Sequence, residues 1–314
     1  LKLHYLNKQI MKKNIIKFWG VRGSYSITDS DKLGIGGDTP CVEIRTRDND
    51  LIILDMGTGL NNLSSALLKE KNPPSTIDIF LSHYHLDHIL GFLSFTPLFM
   101  DKFKINIYGK KDASGGVEKA LSDILDERYW PVTFDMFNAD LTFIDIKPGR
   151  INLNNGISIE SNLHPHPNGA LGFRIELKDN IITYVTDVEH PIGNTLRKVN
   201  HLARESDVLI HEAHFTPSDL PNYKGWGHCS WEEAVSVAKI SNSKQLVLFH
   251  HSPTYSDDVI NVKPKQTYIM KAGDVHFYDV GHVHSPVRKH PVRLLRIEGA
   301  NLDNIKRSNI KVIT

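Results

Sequence analysis

Cysteine is scarce in this chain: Cys41 and Cys229 are the only two in 314 residues, and they lie far apart. No disulfide framework is expected from them, and a reducing compartment is. Long apolar runs are missing too. No stretch approaches the roughly 20 residues needed to cross a bilayer, and Leu1–Lys13 lacks the continuous apolar centre of a signal peptide. A cytoplasmic protein without membrane attachment is the expectation. An excess of charge of one sign is also absent, since 37 Lys and Arg stand against 36 Asp and Glu, a formal net charge of +1. No overall field recruits nucleic acid, which argues against a polynucleotide substrate. The length suffices for a sizeable core in one large domain or two.

What the chain does have is a concentration of metal ligands. His83-Tyr84-His85-Leu86-Asp87-His88 puts four of them into six residues, directly after the apolar run Ile77-Asp78-Ile79-Phe80-Leu81-Ser82. In an extended segment residues 83, 85 and 87 point the same way, and His88 turns onto whatever follows. The adjacent Asp87 and His88 must diverge, so one tetrahedral ion does not readily take all four. Two ions about 3.5–4 Å apart do, and such a pair suits hydrolysis of phosphate esters. A strand end is also where α/β folds place their sites.

Ile15–Trp19 reads as a first strand, and Cys41–Arg45 with Leu51–Leu54 as a hairpin pair. Leu60–Lys69 has helical periodicity, Ile77–Leu81 is the strand that delivers the cluster, and His88–Phe99 is an apolar helix candidate. Ile105–Tyr108 follows as a strand and Val117–Leu125 as a helix. The second half repeats the theme, with strands at Leu141–Ile146, Ile157–Leu163, Leu171–Leu177, Ile181–Val185, Val208–His211 and Leu246–Phe249, and helices at Thr195–Arg204 and Trp231–Ile240. Two runs of strands with helices predict two packed sheets with helices outside. Residues 1–13 read as an N-terminal extension, 14–260 as the main domain, and 261–314 as a C-terminal extension, either a small β unit packed on the domain or a loosely ordered tail.

Further ligand-type residues recur at strand ends: His164, His166, Asp187, His211, Glu212, His250 and His251. With HxHxDH at 83–88 and these motifs in this order, residues 14–260 resemble the metallo-β-lactamase superfamily. The resemblance implies an α/β fold, the αββα four-layer sandwich of two mixed β-sheets flanked by helices, with a dinuclear site between the sheets. It implies that His83, His85 and a downstream histidine hold one divalent ion, that Asp87, His88 and His250 hold a second, and that Asp187 bridges them. Zn2+ is the expected metal and Mn2+ the alternative. In phosphodiesterase members the downstream ligand precedes a Gly-aromatic pair by six residues, and His166 stands six before Gly172-Phe173. His164 is then a supporting or strand residue. Asp55 occupies the place of a carboxylate that orients ligand imidazoles, unless it only bonds its own turn.

His211-Glu212-Ala213-His214, Gly227-His228-Cys229-Ser230 and then His250 are similar to motifs of RNase Z and its small cyclic-phosphodiesterase relatives. The chain departs from them at His214 and at Cys229-Ser230. The resemblance implies that His228 protonates the leaving alkoxide, that Glu212 orients it, and that Asp87 is a catalytic carboxylate as well as a ligand. The chemistry agrees: two ions supply an in-line hydroxide and neutralise the non-bridging oxygens, and a histidine titrating near neutrality supplies the proton. The expected function is a dinuclear phosphodiesterase acting on a small phosphodiester, above all a cyclic nucleotide. RNase Z is the runner-up. Its tRNA-binding arm is a long insertion between the third ligand histidine and the bridging aspartate, where this chain has only the 21 residues from His166 to Asp187. tRNA is therefore not expected as a partner, while a homodimer is, from the relatives alone. An acyl hydrolase such as a lactonase or thioesterase, and a non-catalytic or redox metal protein, are the other readings.

The Phe18–Ser24 and Gly36–Cys41 segments resemble those of an uncharacterised bacterial branch of metal-dependent hydrolases. Such loops offer backbone N–H groups to phosphate, and Arg22 a charge-assisted contact. Thr39, His251 and Ser252 complete the candidate substrate-binding set. Two ordinary turns would look the same, and Asp38 repels phosphate. His276, His282, His284 and His290 in the tail are a further candidate metal group.

Overall fold

The uninterrupted apolar segment Leu51–Leu54 shows how the sheets are built. Ile52 and Leu54 belong to one apolar layer and Leu51 and Ile53 to another, and all four are buried. A strand covered on both faces must be apolar at every position, since successive side chains point to opposite sides. The structure is a computed structural model that describes residues 13–261 except 154 and 192–193, together with the backbone of 268–269 and 275–278.

The first sheet takes its strands in chain order: β1 (Asn14–Gly20), β2 (Cys41–Arg45), β3 (Leu51–Leu54), β4 (Thr76–Phe80), β5 (Lys104–Lys110) and β6 (Asp140–Ile146). The second does the same with β7 (Gly149–Asn152), β8 (Ser158–His164), β9 (Ala170–Glu176), β10 (Ile181–Val185), β11 (Val208–Glu212) and β12 (Leu246–Phe249). Each starts antiparallel and becomes parallel, at β3–β4 in the first and at β10–β11 in the second. Between the sheets, Phe18 meets Phe249 with ring centroids 6.1 Å apart and Phe80 meets Phe173 at 5.7 Å. Helices α1 (Leu60–Leu67), α2 (Leu86–Ile89) and α3 (Val117–Ile124) accompany the first sheet. Helices α4 (Arg197–Ala203) and α5 (Trp231–Ile240) cover the second, and α6 (Asp257–Asn261) follows β12. This is the four-layer αββα sandwich of two mixed sheets.

One expectation needs correction. The single helix over 88–99 is instead the short α2 followed by two 3₁₀ turns, Leu90–Ser94 and Thr96–Phe99. Pro97 has no N–H for a helical ladder. Gly91 packs backbone to backbone on Gly57, where a Cβ would come within 2.1 Å of the Gly57 carbonyl oxygen. In the tail, whose form the sequence leaves open between a small β unit and a loose extension, the described strands add to the edges of both sheets. β13 (Tyr268–Ile269) pairs with β12, and β14 (Val275–Tyr278) with β1. His276 is on β14, whereas residues 1–12, His282, His284 and His290 lie outside the described residues. Among the described residues no helix is long and apolar enough to cross a membrane.

Candidate metal centre

The candidate residues gather where strands end. Asp55 follows β3, residues 83–88 follow β4, Asp187 follows β10, Glu212 closes β11 and His250 follows β12. Asp55, Asp187 and His250 have positive φ angles of 60°, 55° and 54°. That left-handed backbone costs a non-glycine residue about 1–3 kcal/mol and survives where surrounding structure holds it.

Several overlapping groups of ligands result, and two groups of three share no residue. One ligand atom from each of His83, His85 and His166 lies within 4.8 Å of the others, and the same is true of Asp87, His88 and His250. Asp187 stands between them. Its Oδ1 is 3.6 Å from His166 Nε2 and 3.9 Å from His83 Nε2, while its Oδ2 is 3.2 Å from His88 Nε2 and 3.3 Å from His250 Nε2. Supporting bonds set the ring orientations. His88 Nδ1 donates to Asp55 at 2.8 Å, and Asp55 also accepts from Ser82 and the Tyr184 hydroxyl. His166 Nδ1 meets the Gly227 carbonyl at 2.8 Å. Gly227, at φ +84°, allows this approach, because a Cβ there would lie 2.3 Å from that same nitrogen. Asp87 Oδ2 accepts from the Ser24 N–H at 2.7 Å. His164 instead donates Nε2 to the Thr186 carbonyl at 2.8 Å.

Beside the two groups stands an acid–imidazole pair. Glu212 Oε2 is 3.0 Å from His228 Nδ1, and Glu212 also accepts from the N–H groups of Cys229 and Asp187. His214 stacks on His228, with ring centroids 4.1 Å apart and planes 10° from parallel. Both Glu212 and His214 are buried, and His214 Nδ1 donates to the His250 carbonyl at 3.0 Å.

Burial and the neighbouring His88 hold His83 well below the usual imidazole range, and burial first of all lowers His85 and His166. His88 and His250 go the other way. Against burial, Asp87, Asp187 and Asp55 push His88 well up, and Asp187, Asp87 and Glu212 push His250 up to about 10. Burial also opposes the ionised forms of Asp87 and Asp187, yet imidazoles at His88 and His250 keep both carboxylates below their ordinary range. The donor set fits two divalent cations: mixed imidazole and carboxylate, with Nε2 of His83 and of His88 buried and lacking a hydrogen-bond partner. A cation reaching the second group must displace protons from His88 and His250.

That displacement has a thermodynamic counterpart. Histidines raised in the folded state stabilise it fully below their unfolded pKa of about 6.5, and this stabilisation is lost as pH climbs through the folded value, about 10 for His250. The chelated protein is therefore expected to lose thermal stability between pH 7 and 10, and the metal-loaded protein to change much less. Parallel melting curves for the two forms across that window would contradict this charge distribution.

The candidate substrate contacts are enclosed within the protein. Arg22, Thr39, His251 and Ser252 are all buried. The Arg22 guanidinium donates to the carbonyls of Gly36, Ser252, Tyr255 and Lys32 and pairs with Asp257 at 2.9 Å. It ties the Gly-rich loop to the segment after β12 and has no donors to spare. Thr39 exchanges hydrogen bonds with Thr58, and Ser252 Oγ bonds Thr254. The His251 backbone pairs with Val21 and Gly23. Arg22→Met should lower stability by about 3–5 kcal/mol, the usual loss when one partner of a buried ion pair goes. Urea titration of the metal-loaded protein would measure it, and a loss under about 1 kcal/mol would contradict this bracing role.

Sequence reasoning missed a cleft beside the first ligand group. His83, Tyr84, His85, Lys110, Asp112 and Asn168 line it. Lys110, at the end of β5, donates to the Asn168 carbonyl and pairs with Asp112 at 3.3 Å. The only signal in the sequence was a lysine at the end of the strand next to β4.

A family model described as Beta-lactamase superfamily domain matches residues 51–251. Ribonuclease Z of Thermoplasma acidophilum is 26% identical over 294 aligned residues, covering 79% of this chain and 89% of that protein. Among solved structures, the metallo-beta-lactamase fold protein YhfI of Bacillus subtilis superposes with a TM-score of 0.63 at 21% identity, covering 85% of this chain and 100% of that one. A diphosphatase from the PhnP family gives 0.62 at 17% identity, covering 85% and 97%. At these identities the two structures speak for the fold alone.

Proposed function

This chain belongs to the metallo-β-lactamase superfamily and is a metal-dependent hydrolase, and from there we propose that it cleaves a small phosphodiester, with a cyclic nucleotide as the best candidate. His83, His85 and His166 would hold one divalent ion, Asp87, His88 and His250 the other, with Asp187 between and zinc the expected metal. Bound there, two such ions supply an activated water and neutralise charge on the non-bridging oxygens. Asp55 and His164 support the ligand-bearing strands, and the Ser24 N–H fixes Asp87 at the edge of the second group.

The His228–Glu212 pair carries this reading. Its Nδ1 edge is held by Glu212 at 3.0 Å, and the same nitrogen is 3.8 Å from Asp187. An imidazole anchored on one side and adjacent to the ligand groups is placed to hand a proton to a departing alkoxide, the contribution that phosphodiester cleavage needs and acyl transfer in this fold does not. A substrate of modest size is supported by the stretch from His166 to Asp187, which β9 and β10 occupy without a projecting arm.

Ribonuclease Z activity is the second reading, supported by similarity that spans 89% of that relative. One panel separates them: bis-aryl phosphate, 2′,3′- and 3′,5′-cyclic nucleotides, precursor tRNA, a lactone and a thioester, each with the metal-loaded protein. Turnover of a cyclic nucleotide well above the others is the expected result. Faster cleavage of precursor tRNA would give the assignment to the second reading, and lactone or thioester turnover alone would overturn both. A cytoplasmic homodimer completes the proposal; its two buried cysteines suit a reducing compartment.

A further inference from the structure

The catalytic pair has two neighbours in the chain that the reaction does not use. His211 precedes Glu212 on β11, and Cys229 follows His228. Along β11, Leu209 belongs to the apolar layer shared with α4 and α5, and Ile210 to the layer between the sheets. His211 repeats the Leu209 direction, so it lies on the helix side of the sheet, behind Glu212. Cys229 is buried in that same helix-side layer. His190, in the segment after β10, joins them there. The three are 6%, 0% and 0% exposed, and one ligand atom from each lies within 4.8 Å of the others.

We propose that His190, His211 and Cys229 form a further metal site, for a zinc-like cation that has a structural role. His190 Nε2 and His211 Nε2 are 3.4 Å apart. Two nitrogens bound at about 2.0–2.1 Å on a tetrahedral ion stand that far from each other. His211 Nδ1 donates to the Glu212 carbonyl at 2.8 Å, which fixes the tautomer and leaves the Nε2 lone pair toward His190. Burial lowers both imidazoles, His190 to about 3, so both are neutral and able to ligate. Cys229 Sγ lies 3.9 Å from His211 Nδ1 and donates to the Glu212 carbonyl at 3.6 Å, a contact it would give up on turning to a cation at the two Nε2 atoms. A thiolate with two imidazoles is a donor set that zinc prefers.

The proton balance is simple. The Cys229 thiol releases its proton to solvent as the sulfur binds. The His190 proton moves from Nε2 to Nδ1, and the 3.3 Å contact from the Leu196 N–H to Nδ1 is given up. Such an ion would clamp together the segments that carry Glu212 and His228. It stands apart from the active centre, whose proposed ligands include no sulfur.

That difference supplies the test. The full-length protein, stripped of metal and reloaded with Co2+, should bind three equivalents and show a thiolate-to-cobalt charge-transfer band in the near ultraviolet. Cys229→Ser should abolish the band and remove one equivalent, while Cys41→Ser should keep both. Two equivalents without a charge-transfer band would overturn the site, as would a band that follows Cys41. If Cys229→Ser folds poorly, His190→Ala must remove the third equivalent instead, and retention of three there would also overturn it. Ions held by nitrogen and oxygen alone give no such band, so phosphodiester turnover, present or absent, is judged separately.

Discussion

Replacing His228 with alanine is expected to lower cyclic-nucleotide turnover by about 10²–10⁴-fold, the usual worth of a positioned general acid, without loss of metal. The size follows from the leaving group. A ribose alkoxide is a poor leaving group until it is protonated, and His228 is the imidazole that Glu212 anchors beside Asp187. Metal retention is expected because the proposed ligand set does not include His228, although its ring clusters with Glu212, His214 and the ligand His250. A bis-aryl phosphate gives the prediction a second edge. Its phenolate departs without a proton, so His228→Ala should slow that substrate far less. Turnover numbers for both substrates, with metal counts on the same preparations, check this. Equal losses on the two, or loss of an ion, would remove His228 from the role of acid. Glu212→Gln is a blunter probe, since that carboxylate also holds the N–H groups of Asp187 and Cys229.

The αββα sandwich was legible because its strands are local statements. β2, β3 and α5 fall on the residues expected of them, since short apolar-rich segments bounded by turn residues and a helical period say what they are within ten residues. The cluster at 83–88 was legible for the same reason. What escaped depends on partners distant in sequence. Arg22 in a Gly-rich turn reads identically whether its guanidinium meets a phosphate or is enclosed, and the groups enclosing it include Ser252 and Asp257, over 200 residues away. The cleft at Lys110 needs Asn168, 58 residues on, and β14 completes an edge that β1 opens. The six-residue distance to Gly172-Phe173 singles out His166 over His164, but the sequence does not say where either side chain goes. β8 ends at His164, and only the loop beyond it carries His166 to His85, with nitrogens 3.1 Å apart. Local chemistry writes itself into sequence, while closure of the chain on itself does not.

Asp187→Asn should have the other large effect: loss of at least one ion per chain and a fall in turnover beyond the roughly 10–100-fold typical of residues that merely support a ligand. The carboxylate offers one oxygen to each ligand group, Oδ1 toward His166 and Oδ2 toward His88 and His250. An amide keeps the shape but removes the charge and puts an N–H₂ where one oxygen was. Asparagine is the right probe because the backbone here has φ 55°, a left-handed conformation that asparagine tolerates better than alanine. The same change should alter the metal-free protein. Asp187 is the leading carboxylate raising His250 and, after Asp87, the next one raising His88, so its loss lets both histidines release protons at lower pH. The decline in stability of the chelated protein should then begin nearer neutrality and be shallower. Metal analysis and melting curves from pH 6 to 10 on one variant thus test both halves of the argument. Two ions retained with near-full turnover would mean that Asp187 does not join the two groups. An unchanged pH profile would mean that its charge is not what holds the protons on His88 and His250.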